Sequence, residues 1–204
     1  MMTESDFVKY NTLKRIVEPY DALLFDVDGT LADNMDAHKA SYVAAALEYG
    51  IILNPDLIDE TAGWTTVAVA KEISIRYGVD FDFAQFAKRK SAIFIAQYVS
   101  KTKPIEFVRQ ILLDFEHTKK IGIVSGGTRS TLTITLDVID VAGRYETLVC
   151  AGDTTLGKPS HEPFTLTAQN LGVAPEKCVV LEDGDPGVQG AIAAGMSWVR
   201  IDQI

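Results

Sequence analysis

Residues 23–31 read Leu23-Leu24-Phe25-Asp26-Val27-Asp28-Gly29-Thr30-Leu31, an apolar run followed by two acidic residues and a glycine. The apolar run predicts a buried β-strand, and the Asp-Gly pair predicts a turn directly after it. In an extended conformation Asp26 and Asp28 share one face, so their mutual repulsion has to be relieved by a cation or a shared proton. The pattern therefore indicates either a metal or acid/base site at a strand end, or an ordinary acidic turn.

Short apolar runs of strand length recur further along the chain, at residues 121–124, 147–150, 178–181 and 198–201. Segments with helical periodicity separate them, for example after Pro104 and before Gly195. This alternation predicts an α/β fold with a doubly wound, mainly parallel sheet, a Rossmann-like core with helices on both faces. In such sheets functional side chains gather at the carboxyl ends of the strands.

Residues 35–103 interrupt the alternation because they contain only helical patterns, such as the spacing of Tyr42, Ala46 and Tyr49. We therefore predict two domains. An α/β catalytic core comprises residues 1–34 and 104–204, and an all-helical cap comprises residues 35–103. An insertion that begins directly after the acidic loop is placed to close over it and exclude water. The alternative is that these helices form an ordinary layer of one domain.

The composition is that of a globular protein, with 47% hydrophobic and 23% charged residues. The net charge of -9 disfavours nucleic acid or an anionic membrane as a partner, but it allows a small anionic substrate. The sequence contains neither a signal-peptide-type apolar core nor about 18 consecutive apolar residues, so we expect a cytoplasmic location. Cys150 and Cys178 lack metal-site spacing, and we expect two buried, reduced thiols.

Three further segments near predicted strand ends carry reactive groups. Ser125-Gly126-Gly127 offers a hydroxyl and backbone amides that suit a phosphate cradle, although the same residues are common in turns. Lys158, held between Gly157 and Pro159, is a rigid point charge that could bind a phosphoryl group, or a solvated surface lysine. Glu182-Asp183 repeats the acidic strand end of the first segment, and hard oxygen ligands from two strands suit Mg²⁺.

Taken together, the four segments resemble the motifs of the haloacid dehalogenase-like hydrolases. In chain order they are Asp26-Val27-Asp28-Gly29-Thr30, Ser125, Lys158-Pro159 and Glu182-Asp183. The resemblance spans residues 21–204. The helical insertion is similar to the small cap of the β-phosphoglucomutase and sugar-phosphatase branch.

The resemblance implies a role for each of these residues. Asp26 is the nucleophile that forms an aspartyl-phosphate, and Asp28 is the general acid/base. Mg²⁺ is held by Asp26, the Asp28 carbonyl and Asp183, with Glu182 as a ligand or a neighbouring base, while Ser125, Gly126 and Lys158 bind the phosphoryl oxygens. Because an acid needs a proton near neutral pH, we predict that the neighbouring carboxylate and cap closure raise the pKa of Asp28.

Two parts of the cap are expected to meet the substrate. His38 stands where this branch often carries a hinge histidine facing the substrate, the alternative being a histidine on a helix surface. The segment Ala62-Gly63-Trp64-Thr65-Thr66 is similar to the loop that meets the leaving group, with Gly63, Trp64 and Thr65 as the candidate contacts. Trp64 could instead anchor the cap in its apolar core.

The same loop separates two activities. β-Phosphoglucomutases typically carry a lysine before this glycine and an arginine after it to hold a second phosphate, whereas this chain carries Ala62, Thr65 and Thr66. We therefore predict a Mg²⁺-dependent phosphatase acting on a small sugar or polyol monophosphate. A phosphosugar mutase of the β-phosphoglucomutase type is the first alternative, and a non-catalytic regulator that binds a phosphorylated metabolite is the second.

Overall fold

Buried strands alternate with helices along the described part of this computed structural model, residues 2–204. In chain order the helices and strands are α1 Glu4–Val17, β1 Ala22–Phe25, β2 Ala32–Asp33, α2 Met35–Leu47, α3 Asp56–Glu60, α4 Thr66–Tyr77, α5 Phe83–Gln97, β3 Lys103–Pro104, α6 Glu106–Phe115, β4 Lys120–Val124, α7 Arg129–Val138, β5 Thr147–Val149, α8 Glu162–Leu171, β6 Cys178–Glu182, α9 Asp185–Ala193 and β7 Ser197–Arg200. Within residues 2–204, no helix has the length and apolar character needed to cross a bilayer.

Five of the strands form one parallel sheet in the order β5-β4-β1-β6-β7. The central strand, β1, pairs with β4 and β6 so that Phe25 lies opposite both Ile123 and Leu181. The carboxyl ends of these three strands therefore meet at one edge, and the polar residues that follow them come together there. The predicted α/β fold class is confirmed.

Side chains alternate between the two faces of β1, which gives the sheet an apolar cluster on each side. Leu23 and Phe25 belong to the cluster covered by α1, α6 and α7. Leu24 belongs to the cluster on the other face, which α8 and α9 cover with residues such as Phe164. Because both faces are covered, β1 is completely buried. The start of the loop that follows it is therefore fixed relative to the sheet.

Helices α2–α5, which we call the cap, have an apolar cluster of their own that includes Tyr42, Ile73 and Phe86. Two short strands join the cap to the sheet domain, since β2 pairs with β3 in antiparallel register with Asp33 opposite Lys103. We propose that this two-stranded ribbon is the boundary between the catalytic core and the cap. The ribbon begins four residues after Asp28, so any movement of the cap starts next to the acidic loop.

Candidate active site

A buried lysine joins the carboxyl ends of β1 and β6. The Lys158 Nζ donates to Asp26 Oδ1 at 2.6 Å, to Glu182 Oε1 at 2.5 Å and to the Val124 carbonyl at 2.9 Å. Asp26 and Lys158 are each 5% exposed and Glu182 is 2% exposed. Burial opposes the ammonium charge, but the two carboxylates outweigh burial and raise the pKa of Lys158. The lysine is therefore a fixed positive charge beside Asp26.

Three carboxylates crowd the same edge of the sheet. Asp26, Glu182 and Asp183 each offer an oxygen, and these oxygens lie within 4.8 Å of one another. Burial and the neighbouring negative charges raise the pKa of Asp26, although Lys158 opposes them, and they raise the pKa of Asp183 to about 6. The cluster is thus an arrangement of like charges that a cation would relieve.

The loop after β1 is shaped around this cluster. Gly29 has a φ of +88°, and a Cβ at this position would lie 2.1 Å from Asp183 Oδ2. Thr30 Oγ1 donates to Asp183 Oδ1 at 3.2 Å. Only a glycine therefore lets the loop approach the Asp183 carboxylate. The three carboxylates form a set of hard oxygen donors that fits a divalent cation such as Mg²⁺.

A second buried chain of polar groups ends on Asp28. The Asn34 Nδ2 donates to Asp28 Oδ1 at 2.6 Å, and His38 Nε2 lies 3.1 Å from the same oxygen. Behind the ring, the Lys90 Nζ lies 2.5 Å from His38 Nδ1. Because an ammonium can only donate, Nδ1 must accept; a neutral His38 therefore carries its proton on Nε2 and donates it to Asp28.

The groups that contact Asp28 correct the prediction for its pKa. Burial acts to raise the pKa of Asp28, but attraction to His38, the hydrogen bonds from His38 and Asn34, and the charge of Lys90 together lower it well below its usual range. The prediction of a raised pKa was wrong. It rested on repulsion from the neighbouring carboxylate, whereas these donors and the charge of Lys90 have the larger effect. Burial also lowers the pKa of His38, and it lowers that of Lys90 to about 8.

The loop after β4 faces the two acidic groups. Ser125 Oγ accepts from the Gly127 amide at 3.1 Å, which leaves its own proton available for an anion. Ser125, Gly126 and Gly127 line the same cleft as Asp26 and Asp28. Helix α7 begins two residues later, so its N-terminus adds a favourable field for a phosphoryl group.

The cap covers this edge of the sheet and leaves a cleft of about 660 Å³, including its open mouth. The contact is close at Gly126, where a Cβ would lie 2.6 Å from the Gly63 carbonyl oxygen and 2.8 Å from that of Trp64. The structure therefore represents the cap in a closed position.

The predicted cap residues divide between the cleft and the helix ends. His38, Gly63 and Trp64 line the cleft. His38 is 9% exposed, so it is not a surface histidine, and its ring stacks on Phe94 with centroids 4.1 Å apart. Trp64 also packs against the apolar cluster of the cap, and its contact with a substrate stays a prediction. Thr65 is not among the lining residues; its Oγ1 instead caps α4 by accepting from the Ala68 amide.

Lys90 is a site residue that the sequence analysis missed. It lies in α5 with Lys88 and Arg89, both exposed, yet it is itself 4% exposed. A signal was present, because Lys90 shares a helix face with Phe86 and Phe94, four residues to either side, and a lysine within an apolar stripe suggests a buried partner. The hydrogen bond from Asn34 to Asp28 was also not predicted.

Comparison with known proteins places these residues in a family context. The sequence model of the haloacid dehalogenase-like hydrolases matches residues 23–201. The chain is 27% identical over 184 residues to the fructose-1-phosphate phosphatase YqaB of Escherichia coli strain K12, covering 90% of this chain and 97% of that protein. It is 26% identical over 192 residues to a phosphorylated carbohydrates phosphatase of Thermotoga maritima, covering 88% and 83% respectively. A β-phosphoglucomutase structure from Clostridium difficile shares the fold, with a TM-score of 0.78 at 20% identity over 88% of this chain and 83% of that chain.

Proposed function

This chain belongs to the haloacid dehalogenase-like hydrolase family, and on that premise we propose that it hydrolyses a small sugar or polyol monophosphate through an aspartyl-phosphate. The observation that carries the proposal is that two carboxylates in one cleft have different hydrogen-bond partners. Asp26 is held by Lys158 at 2.6 Å, whereas Asp28 is held by Asn34 and His38. One group is thus positioned to attack and the other to carry protons.

In the first step, the Asp26 carboxylate attacks phosphorus and the bond from phosphorus to the substrate oxygen breaks. The Ser125 hydroxyl and the Gly126 amide hold the phosphoryl oxygens, and the nearby charge of Lys158, whose three protons are taken by Asp26, Glu182 and the Val124 carbonyl, helps to neutralise them. An ionised carboxylate needs no base to activate it, so its reactivity depends on position and charge neutralisation. Lys158 contributes to both because it contacts Asp26 directly.

The proton for the leaving oxygen passes through Asp28. As negative charge develops on that oxygen, the His38 Nε2 proton passes through the ionised Asp28 carboxylate to it, and Lys90 supplies a proton to His38 Nδ1. Asp28 is therefore ionised again at the end of this step. In the second step a water molecule attacks the phosphorus of the aspartyl-phosphate, and the bond from phosphorus to Asp26 breaks to release phosphate and restore the Asp26 carboxylate. Asp28 takes one proton from that water and passes it to His38 Nε2, and His38 returns its Nδ1 proton to Lys90. The low pKa of Asp28 suits this second role directly, because an ionised carboxylate is a ready proton acceptor.

Asp26, Asp183 and the Asp28 carbonyl would hold Mg²⁺, with Glu182 beside them. When bound, the ion would supply charge neutralisation between the carboxylates and the phosphoryl oxygens. Glu182 already accepts from Lys158 at 2.5 Å, and a Cβ on Gly187 would lie 1.9 Å from its Oε1. Glu182 therefore has little freedom to move, and it serves to fix Lys158.

The substrate class is supported by the named activities of the relatives and by the cap loop. The similar proteins include a fructose-1-phosphate phosphatase and a phosphorylated carbohydrates phosphatase. Ala62, Thr65 and Thr66 supply no cation that could hold a second phosphate, so a bisphosphate intermediate would be poorly retained and water would complete the reaction.

The first experiment measures phosphate release from a chromogenic phosphate ester and from a panel of sugar and polyol phosphates, with Mg²⁺ or with EDTA. We expect Mg²⁺-dependent release that Asp26→Asn abolishes and that the exposed-surface control Asp137→Asn retains. No phosphate release above the protein-free blank, by wild type or by Asp26→Asn, would instead support a regulator without catalysis. With β-glucose 1-phosphate as substrate, formation of glucose 6-phosphate with little free phosphate would support the mutase.

A further inference from the structure

The cap wall of the cleft carries three hydroxyl groups from three different helices. Tyr42 comes from α2, Thr66 from the start of α4 and Ser91 from α5, and all three line the cleft that holds Asp26 and Asp28. We propose that these residues form a neutral subsite that binds a hydroxyl group of the substrate and rejects a second anionic group. This inference rests on the proposed phosphatase function and specifies which monophosphates that function accepts.

Tyr42 and Thr66 line the same cleft; burial raises the pKa of the Tyr42 phenol, and the Thr66 hydroxyl acts to lower it. Two hydroxyls carry two protons, so even if one of them donates to the other, the pair retains one donor and several lone pairs. Tyr42 is 5% exposed and Thr66 is 9% exposed, which means that little solvent competes for these groups. A substrate hydroxyl, which both donates and accepts, matches the pair.

Packing holds the ring of Tyr42 in place. Its ring stacks on Phe86 with centroids 6.5 Å apart, and the Lys90 ammonium lies 4.4 Å from its centroid. The ring is therefore held between the apolar cluster of the cap and a cation. A fixed phenol contributes more to recognition than a mobile one, because little entropy is lost when the substrate binds.

The charges around the cleft disfavour an anion at this wall. Within residues 2–204, neither lysine nor arginine is among the residues lining the cleft. Lys158 is engaged by Asp26 and Glu182, and Lys90 donates to His38 behind the ring of Tyr42. A carboxylate or second phosphate on the substrate would lose its hydration here without gaining a cation, whereas a hydroxyl would gain hydrogen bonds.

The first test compares two substrates that differ at one carbon. Glucitol 6-phosphate ends in CH₂OH where 6-phosphogluconate ends in a carboxylate. We expect kcat/KM to be at least about 100-fold higher for glucitol 6-phosphate, and fructose 1-phosphate to exceed fructose 1,6-bisphosphate in the same sense. Comparable values within each pair would overturn the inference while leaving the phosphatase function intact.

The second test removes single hydroxyls and follows two substrates. For Tyr42→Phe, and separately for Ser91→Ala, we expect the loss of kcat/KM on glucitol 6-phosphate to exceed the loss on para-nitrophenyl phosphate by about 5-fold or more, mainly through KM, as for one lost hydrogen bond. Tyr49→Phe removes a phenol hydroxyl elsewhere in the cap cluster and is the control, with both activities retained. Equal losses on both substrates for Tyr42→Phe and for Ser91→Ala would refute the subsite. Failure of wild type to hydrolyse para-nitrophenyl phosphate would refute the proposed function instead.

Discussion

Replacing Gly126 by alanine tests whether the cap must close against the loop after β4. The added Cβ would lie 2.6 Å and 2.8 Å from the carbonyl oxygens of Gly63 and Trp64. Both oxygens belong to backbone, so they cannot rotate away as a side chain could, and the cap loop has to shift. Overpacking of this kind costs about 1–3 kcal/mol. If the cost falls on the closed state alone, kcat/KM decreases by about 5- to 150-fold.

The matched control is Gly184→Ala, at the same contact between core and cap. Its Cβ would lie 3.7 Å from the Ala62 Cβ, which is ordinary van der Waals contact, so we expect kcat/KM close to wild type. Both variants are assayed with the chromogenic ester, and thermal unfolding is recorded to confirm that the sheet domain is intact. Wild-type kcat/KM for Gly126→Ala, in a folded protein, would show that the closed position described here is not the reactive one.

Three further predictions concern buried polar groups. Lys90→Met should lower kcat by about 10- to 100-fold, measured under saturating substrate, because His38 loses the donor that fixes its tautomer; an unchanged kcat would remove Lys90 from the site. The pKa of Lys90 falls from 10.5 to about 8 on folding, so the unfolded chain binds more protons between these values and stability rises with pH there. The free energy of unfolding of wild type should therefore climb more steeply than that of Lys90→Met, by up to about 1.4 kcal/mol per pH unit, and parallel pH curves would contradict this. Thr102→Val should raise the free energy of unfolding by about 1 kcal/mol in a denaturant titration, because the buried Thr102 hydroxyl has no hydrogen-bond partner among residues 2–204; a loss of stability would show that it has one.

The sequence was sufficient to predict the fold where strands are buried along most of their length. Strands β1, β4 and β6 are short apolar runs, and their parallel order brings Asp26, Ser125 and Asp183 together without any knowledge of side-chain positions. The family resemblance that followed from these segments is confirmed. Helix α1 was overlooked, although Thr3 and Asp6 form a capping box and Leu13 and Val17 share its buried face.

The parts of the site that escaped prediction depend on how the cap packs. Lys90 lies 52 residues from His38 in sequence, and only the packing of α5 against α2 brings them together. The low pKa of Asp28 also depends on the cap. Of the residues that lower it, Asn34 directly precedes α2, His38 lies in α2 and Lys90 lies in α5. Local sequence describes the strand ends well, since topology alone aligns them, whereas contacts between helices require the three-dimensional arrangement.

The central claim is that Asp26 attacks phosphorus and carries the phosphoryl group. The direct measurement is rapid acid quenching of the wild-type chain during turnover, followed by proteolysis and mass spectrometry of the peptide that contains Asp26. We expect an acid-stable phosphoryl adduct on Asp26 during turnover, which is absent in Asp26→Asn. A phosphoryl group on another residue, or phosphate release by Asp26→Asn at the wild-type rate, would contradict it.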